Sequence, residues 1–272
     1  MKLLQSASAR SLRGTQPSTA PWPWALAGAL SGLLLATLMN APARWLTDLV
    51  QQSLDQRVRF EDTRGTLWDG SARLVLTGGA GSTDAAALPG RLTWRLRPGW
   101  TALRAELRTP CCLEPAWHWT LLPHWGGARL VMSDSQSQWP AQWLTGLGTP
   151  WNTVQAQGQL QLSTQGLSLE WAAGRFLIGG QAQLDALELS SRLSTLKPMG
   201  SYRLVLKGGA TPELTLQTLE GSLQLSGKGQ WVGSKLHFNG VAGARADRLD
   251  ALSNLLNIIG RRDGANAIIK VG

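Results

Sequence analysis

Apolar and polar residues alternate with a period of two over much of the chain beyond residue 90. In RLTWRLR at 91–97, Leu92, Trp94 and Leu96 fall on one face while Arg91, Thr93, Arg95 and Arg97 fall on the other. This is the pattern of a half-buried strand. ALRAELR at 102–108 repeats it with Leu103, Ala105 and Leu107 inward, and Pro98 and Gly99 between the two segments predict a hairpin turn. The same alternation recurs in WHWTL at 117–121, GQLQLS at 158–163, GLSLEW at 166–171, YRLVLK at 202–207, ELTLQ at 213–217, GSLQLSGKGQW at 221–231 and KLHFNG at 235–240. Strands at this spacing, separated by glycine or proline turns, predict a mainly β domain: an antiparallel meander or sandwich-like sheet with one apolar face.

Helical periodicity is confined to three places in the rest of the chain. Trp45, Leu46, Leu49, Val50 and Leu54 keep helical spacing beyond an apolar N-terminal stretch, so that stretch is expected to run on as a short helix. PAQWLTGLG at 140–148 starts with a proline suited to a first turn and ends at glycine. In ADRLDALSNLLNIIG at 246–260, Leu249, Leu252, Leu255, Leu256 and Ile259 form one stripe and Gly260 supplies the stop.

The N-terminal stretch changes the picture most. No charged residue occurs between Arg13 and Arg44, and WPWALAGALSGLLLATLMNAPA at 22–43 reaches the roughly 20 residues that a helix needs to cross a bilayer. Lys2, Arg10 and Arg13 precede it without an acidic residue, which keeps the tail at 1–21 cytoplasmic and puts 44–272 on the other side. Trp22, Trp24 and Trp45 mark the two interfaces. A cleaved signal peptide, with MNAPA as its processing site, is the rival reading, but the apolar segment exceeds the usual core of about 7–15 residues. Gly28 and Gly32 form a GxxxG, a candidate for close helix packing in the membrane.

Composition narrows the partners. The formal net charge is +9, but the excess is arginine spread along strands rather than gathered into a block, which speaks against nucleic acid. A basic surface does suit anionic lipid headgroups. Trp supplies 14 of the aromatic residues against one Tyr and three Phe. In RGTLWDGSARL at 64–74 a tryptophan stands between two glycines, the signature of a tight turn with a bulky anchor. Gly65, Trp68, Gly70 and Trp94 are accordingly candidates for a structural or docking anchor, tryptophan being favoured at interaction hot spots.

Several segments in their order along the chain are similar to one known family. These are Gly65-Thr66-Leu67-Trp68-Asp69-Gly70, Leu92-Thr93-Trp94-Arg95-Leu96-Arg97-Pro98, Gly200-Ser201-Tyr202, Gly221-Ser222-Leu223-Gln224-Leu225-Ser226-Gly227, and the leucine-rich helix followed by Gly260-Arg261-Arg262-Asp263-Gly264. With a short basic tail and single anchor before them, they resemble the type II secretion system protein N family over nearly the whole chain. The resemblance implies a single-pass protein of the cell inner membrane with a periplasmic domain, working in protein secretion through contacts with other proteins of that system.

Chemistry-bearing residues are sparse. The three histidines, His118, His124 and His237, sit in no HExxH, and there is no GxSxG, Walker loop or helix-opening GxGxxG. GKGQWVG at 227–233 has the glycines without the strand-to-helix context and reads as a bulge in a strand. Asp134 with His118 or His124 is the one remaining hydrolase arrangement. No cofactor, metal or catalytic residue is expected, and the protein is read as not an enzyme. Cys111 and Cys112 are adjacent, with Cα atoms about 3.8 Å apart where ordinary disulfides want about 4.4–6.8 Å. A vicinal bridge, two thiols and an intermolecular bridge all stay open. Two functions compete: an assembly component of the secretion system, and a periplasmic lipid-binding or lipid-transfer module. An alternating sheet must bury its apolar face against something. Three helices that cannot cover it would leave a groove lined or rimmed by tryptophan.

Overall fold

The computed structural model describes residues 22–172, 174–233 and 235–272. The basic tail with Lys2, Arg10 and Arg13 lies outside the described residues. The chain divides between Asn40 and Ala41 into two compact units. In the first, helix α1 (Trp22–Met39) is long and apolar enough to cross a membrane, and none of it is buried. An added Cβ at Gly28 or Gly32 would meet no other atom within 4 Å.

The apolar stretch does not continue as one helix, contrary to the periodicity. The second unit starts with Ala41, Pro42 and Ala43 drawn to the sheet: Leu67 N–H donates to Ala41 O at 2.7 Å, Pro42 bridges Thr66, and Ala43 N–H donates to Gly65 O at 3.1 Å. Pro42 has no N–H to give a helix ladder, so a break falls here. Helix α2 (Arg44–Ser53) then restarts and lies along the first strand, where Phe60 N–H donates to Gln51 Oε1 at 2.8 Å.

One antiparallel sheet makes up most of the second unit. Its first half comprises β1 (Val58–Gly65), β2 (Asp69–Thr77), β3 (Ala85–Ala87), β4 (Leu92–Pro98), β5 (Leu103–Thr109), β6 (Leu113–His124), β7 (Gly127–Met132) and β8 (Ser135–Pro140). The second half comprises β9 (Gln157–Ala172), β10 (Arg175–Ser190), β11 (Gly200–Gly209), β12 (Glu213–Gly221), β13 (Leu223–Val232), β14 (Lys235–Ala244), β15 (Arg261–Asp263) and β16 (Asn266–Val271). The order is β1-β2-β4-β5-β6-β7-β9-β10-β11-β12-β13-β14-β16-β15, with β3 on β2 and β8 on β9. It is a meander, not a sandwich. The hairpins β1–β2, β4–β5, β6–β7, β9–β10, β11–β12 and β13–β14 therefore all turn at one end, called here the hairpin end.

Period-two alternation puts the apolar side chains on one face, as the sequence predicts. Near the N-terminus Ala43, Ala72 and Trp94 form a core joined by Leu46, Phe60, Leu96 and Leu107. Mid-sheet, Met132, Leu167 and Ile178 pack with Trp117 and Trp119, whose rings meet edge to face at 5.1 Å. The largest core lies beyond. There Leu160, Tyr202, Leu223 and Ala242 meet helix α4 (Leu249–Ile259) through Leu252, Leu255 and Leu256, each no more than 2 % exposed. A 3₁₀ helix (Ala141–Leu147), in the place of the short helix that the sequence predicts at 140–148, and α3 (Trp151–Val154) close one side of it.

Candidate functional site

The glycine–tryptophan–glycine stretch is the turn between β1 and β2, and it is built around a different tryptophan. Gly65 has φ +87, and a Cβ there would lie 2.4 Å from Asp69 O. A Cβ at Gly70 would lie 2.5 Å from the Trp94 ring, so glycine lets the indole pack flat on the turn. Trp94 is 4 % exposed and its Nε1–H donates to Leu67 O at 3.1 Å. Trp68 is half-buried, and its carbonyl accepts from Leu96 N–H at 2.6 Å. These four residues thus lie together where α2, β1, β2 and β4 converge.

At the opposite side of the sheet is an apolar cavity of about 870 Å³, between the strands from β9 to β16 and α4. Leu160, Leu184, Leu216, Leu236, Phe238 and Leu255 are among the residues lining it. Its size falls in the range of about 300–1,000 Å³ typical of small-molecule sites. Tyr202 also lines it. That residue is 4 % exposed, and its hydroxyl has no hydrogen-bond partner among the described residues. Burial raises the phenol's pKa, so it stays a neutral donor. The lining is leucine-rich rather than tryptophan-rich, with Trp151 as its tryptophan. Trp139 and Trp143, which do not line it, stack on each other at 5.4 Å.

On the outer face, Arg203 on β11 clasps Asp185 on β10 with two hydrogen bonds of 2.8 Å each. The carboxyl is held below its ordinary pKa by those Arg203 bonds, against the opposing effect of its burial and with help from Gln183. Asp62, between Arg64 at 2.8 Å and Arg91 at 2.6 Å, is lowered chiefly by hydrogen bonds from those two arginines. The first fastens neighbouring strands, the second ties β1 to the residue before β4 across β2, and neither faces the cavity.

Among the described residues no hydrogen bond or ion pair joins the side chains considered for catalysis. Asp134 Oδ1 accepts the Gly166 N–H at 2.7 Å. His118 is exposed on the face opposite Trp117 and Trp119, and its N–H donates to Ser133 Oγ at 3.2 Å. His124 sits at the hairpin end, 3.9 Å from Glu170. Among the described residues no group of three or more His, Cys, Asp or Glu side chains is placed to hold a metal ion. Cys111 and Cys112 are joined to each other in a vicinal disulfide at the turn between β5 and β6. The residues that line the cavity and Tyr202's unpartnered hydroxyl are the features that sequence reading missed. A groove was foreseeable from the shortage of helices, but which residues line it depends on where α4 lands.

Comparison with protein-family models matches residues 56–269 to the family described as Type II secretion system (T2SS), protein N. Comparison with curated proteins and with solved structures finds no match. The matched span opens just before β1 and closes within β16, so it takes in the turn at Gly65–Gly70, the Trp94 core and the cavity alike. This chain, with its single long antiparallel meander, belongs to the type II secretion system protein N family.

Proposed function

We infer that this protein is a non-catalytic component of the type II secretion machine, held in the inner membrane by α1 with its tail in the cytoplasm and its sheet in the periplasm. The family match over residues 56–269 carries this reading. An 18-residue apolar helix ahead of the sheet supports the anchor. The sheet ends in two edge strands, β1 and β15, and an edge strand can accept a strand from another protein. Protein–protein contact, rather than chemistry, is the work proposed for the domain. A reporter active only outside the cytoplasm should be active when fused after Gly272. Activity from a fusion at Gly14 would overturn the orientation. Photo-crosslinkers at Arg262 on β15 and Arg59 on β1 should capture other secretion-system proteins in cells, and capture of none from either edge counts against assembly through the edges.

A second reading, lipid binding, is favoured by the apolar cavity of about 870 Å³ beside α4. Under it, the full chain purified in mild detergent carries a defined lipid in stoichiometric amount. Purification with only the detergent's own exchangeable lipid would remove that reading.

A further inference from the structure

The hairpin end carries a feature that neither the cores nor the cavity uses. Trp100, at the β4–β5 tip, and Trp125, at the β6–β7 tip, are fully exposed, at 106 % and 103 %. The next tip along, β9–β10, presents Trp171 and Phe176, 46 % and 45 % exposed with ring centroids 5.1 Å apart, and Leu177 beside them. These three hairpins are consecutive in the sheet, because β5 pairs β6 and β7 pairs β9. With strands about 4.8 Å apart, the three tips span about 20 Å. Exposed tryptophan on a soluble surface costs contact with water unless something apolar meets it, and its amphipathic ring is favoured at the lipid headgroup level.

Charge at the same tips has one sign in excess. Arg97 and Arg104 are directly opposite each other across β4 and β5, an arrangement that destabilises a strand pair unless an anion lies between or beside them. Arg175 stands at the β9–β10 tip. None of these three arginines has a carboxylate partner among the described residues, and the carboxylate of this group of tips, Glu170, lies 3.9 Å from His124. The connections at the other end of the sheet differ: they carry Pro110 with the joined cysteines, Gly221 with Ser222, and Ser191 with Ser194, and none of them exposes a tryptophan fully. The second unit begins at the hairpin end. Ala41, first residue of the second unit, bonds to Leu67 in the β1–β2 tip, which adjoins the β4–β5 hairpin at the same end.

We propose that the tips bearing Trp100, Trp125 and the Trp171–Phe176 pair dock on an anionic phospholipid surface, with Arg97, Arg104 and Arg175 meeting the headgroup phosphates. The proposal rests on the anchored reading for one point only, that a bilayer lies where the chain enters the domain.

The test uses the full chain in nanodiscs of phosphatidylcholine alone and with about a third phosphatidylglycerol. Backbone amide exchange at 99–102, 125–127 and 174–176 should slow by about tenfold in the anionic discs relative to the neutral ones, while 110–112 and 221–222 stay unchanged. The combined variant Arg97→Glu, Arg104→Glu and Arg175→Glu should abolish that difference, with unchanged slow exchange in β9 and β10 showing that it is folded. Equal exchange at the tips in both compositions, in chain that has entered the discs, overturns the proposal. Protection that rises with protein concentration and not with anionic lipid assigns the tips to a second copy and overturns it too. Failure of the chain to enter either disc instead contradicts the anchored reading, and the proposal falls with it.

Discussion

The two flanks of the apolar face are made from the same alternating strands and finish differently. At the N-terminal flank a single large side chain, Trp94, fills the space beneath α2, with Gly70 flattened against its ring and Leu67 taking its N–H. At the C-terminal flank leucines line the strands, α4 lies over the far side, and a cavity of about 870 Å³ is left between them. Alternation sets which face is apolar but not how that face is covered. A tryptophan with a matching glycine seals a flank completely. An amphipathic helix over many leucines leaves room.

Trp94→Ala should break the sealed flank outright, costing about 3–5 kcal/mol because the removed indole leaves a void and leaves the Leu67 carbonyl without its donor. Urea unfolding of the full chain checks this, and a loss below about 1 kcal/mol would mean that α2 collapses into the gap. A smaller addition on the same flank should also hurt. Gly70→Ala places a methyl 2.5 Å from the Trp94 ring and is expected to cost about 1–3 kcal/mol by overpacking.

The Asp185–Arg203 clasp tests the strands behind the open flank. Asp185→Asn should cost about 1.5–3 kcal/mol at neutral pH, the range for hydrogen bonds to a charged group. Because the folded carboxyl is held below its ordinary pKa, its contribution is present above the unfolded value near 4 and fades as pH falls through the lower folded value. Stability measured against pH should therefore bring wild type and Asp185→Asn together in acid, and parallel curves throughout would contradict the account. The smallest effect belongs to the open flank itself. Leu236→Phe grows a side chain that lines the cavity and should shift stability by less than about 1 kcal/mol, a contrast with Gly70→Ala that a closed cavity would erase.

How much of this was legible depended on where alternation kept its phase. The segments at 91–97 and 102–108 are the strands β4 and β5, and the stripe from Leu249 to Ile259 is α4, because each keeps one period throughout. The segments at 158–163 and 166–171, which read as two strands, are one strand of 16 residues. Leu160 and Thr164 are buried in its first part and Leu167 in its second, and the switch from even to odd falls at Gly166, where φ is +56. The neighbouring β10 escaped notice for the same reason. Its inward Ala182, Leu184 and Ala186 give way to Leu189 across Glu188, at φ +50, and a bulge hides the period from any fixed template. The break at Pro42 could be anticipated from proline's missing N–H, but not that the residues around it would bond to the β1–β2 turn. The Gly70–Trp94 fit joins residues on different strands, so Gly65 and Gly70 flagged a turn while its partner could be found only in space.

The most direct measurement is the protein profile of medium and periplasm from a strain lacking this chain, with and without complementation by the full-length protein. The account predicts that normally exported proteins accumulate in the periplasm without it and return to the medium with it. An unchanged profile, accompanied by altered outer-membrane lipid or detergent sensitivity, would contradict the secretion role and leave the cavity's lipid reading in its place.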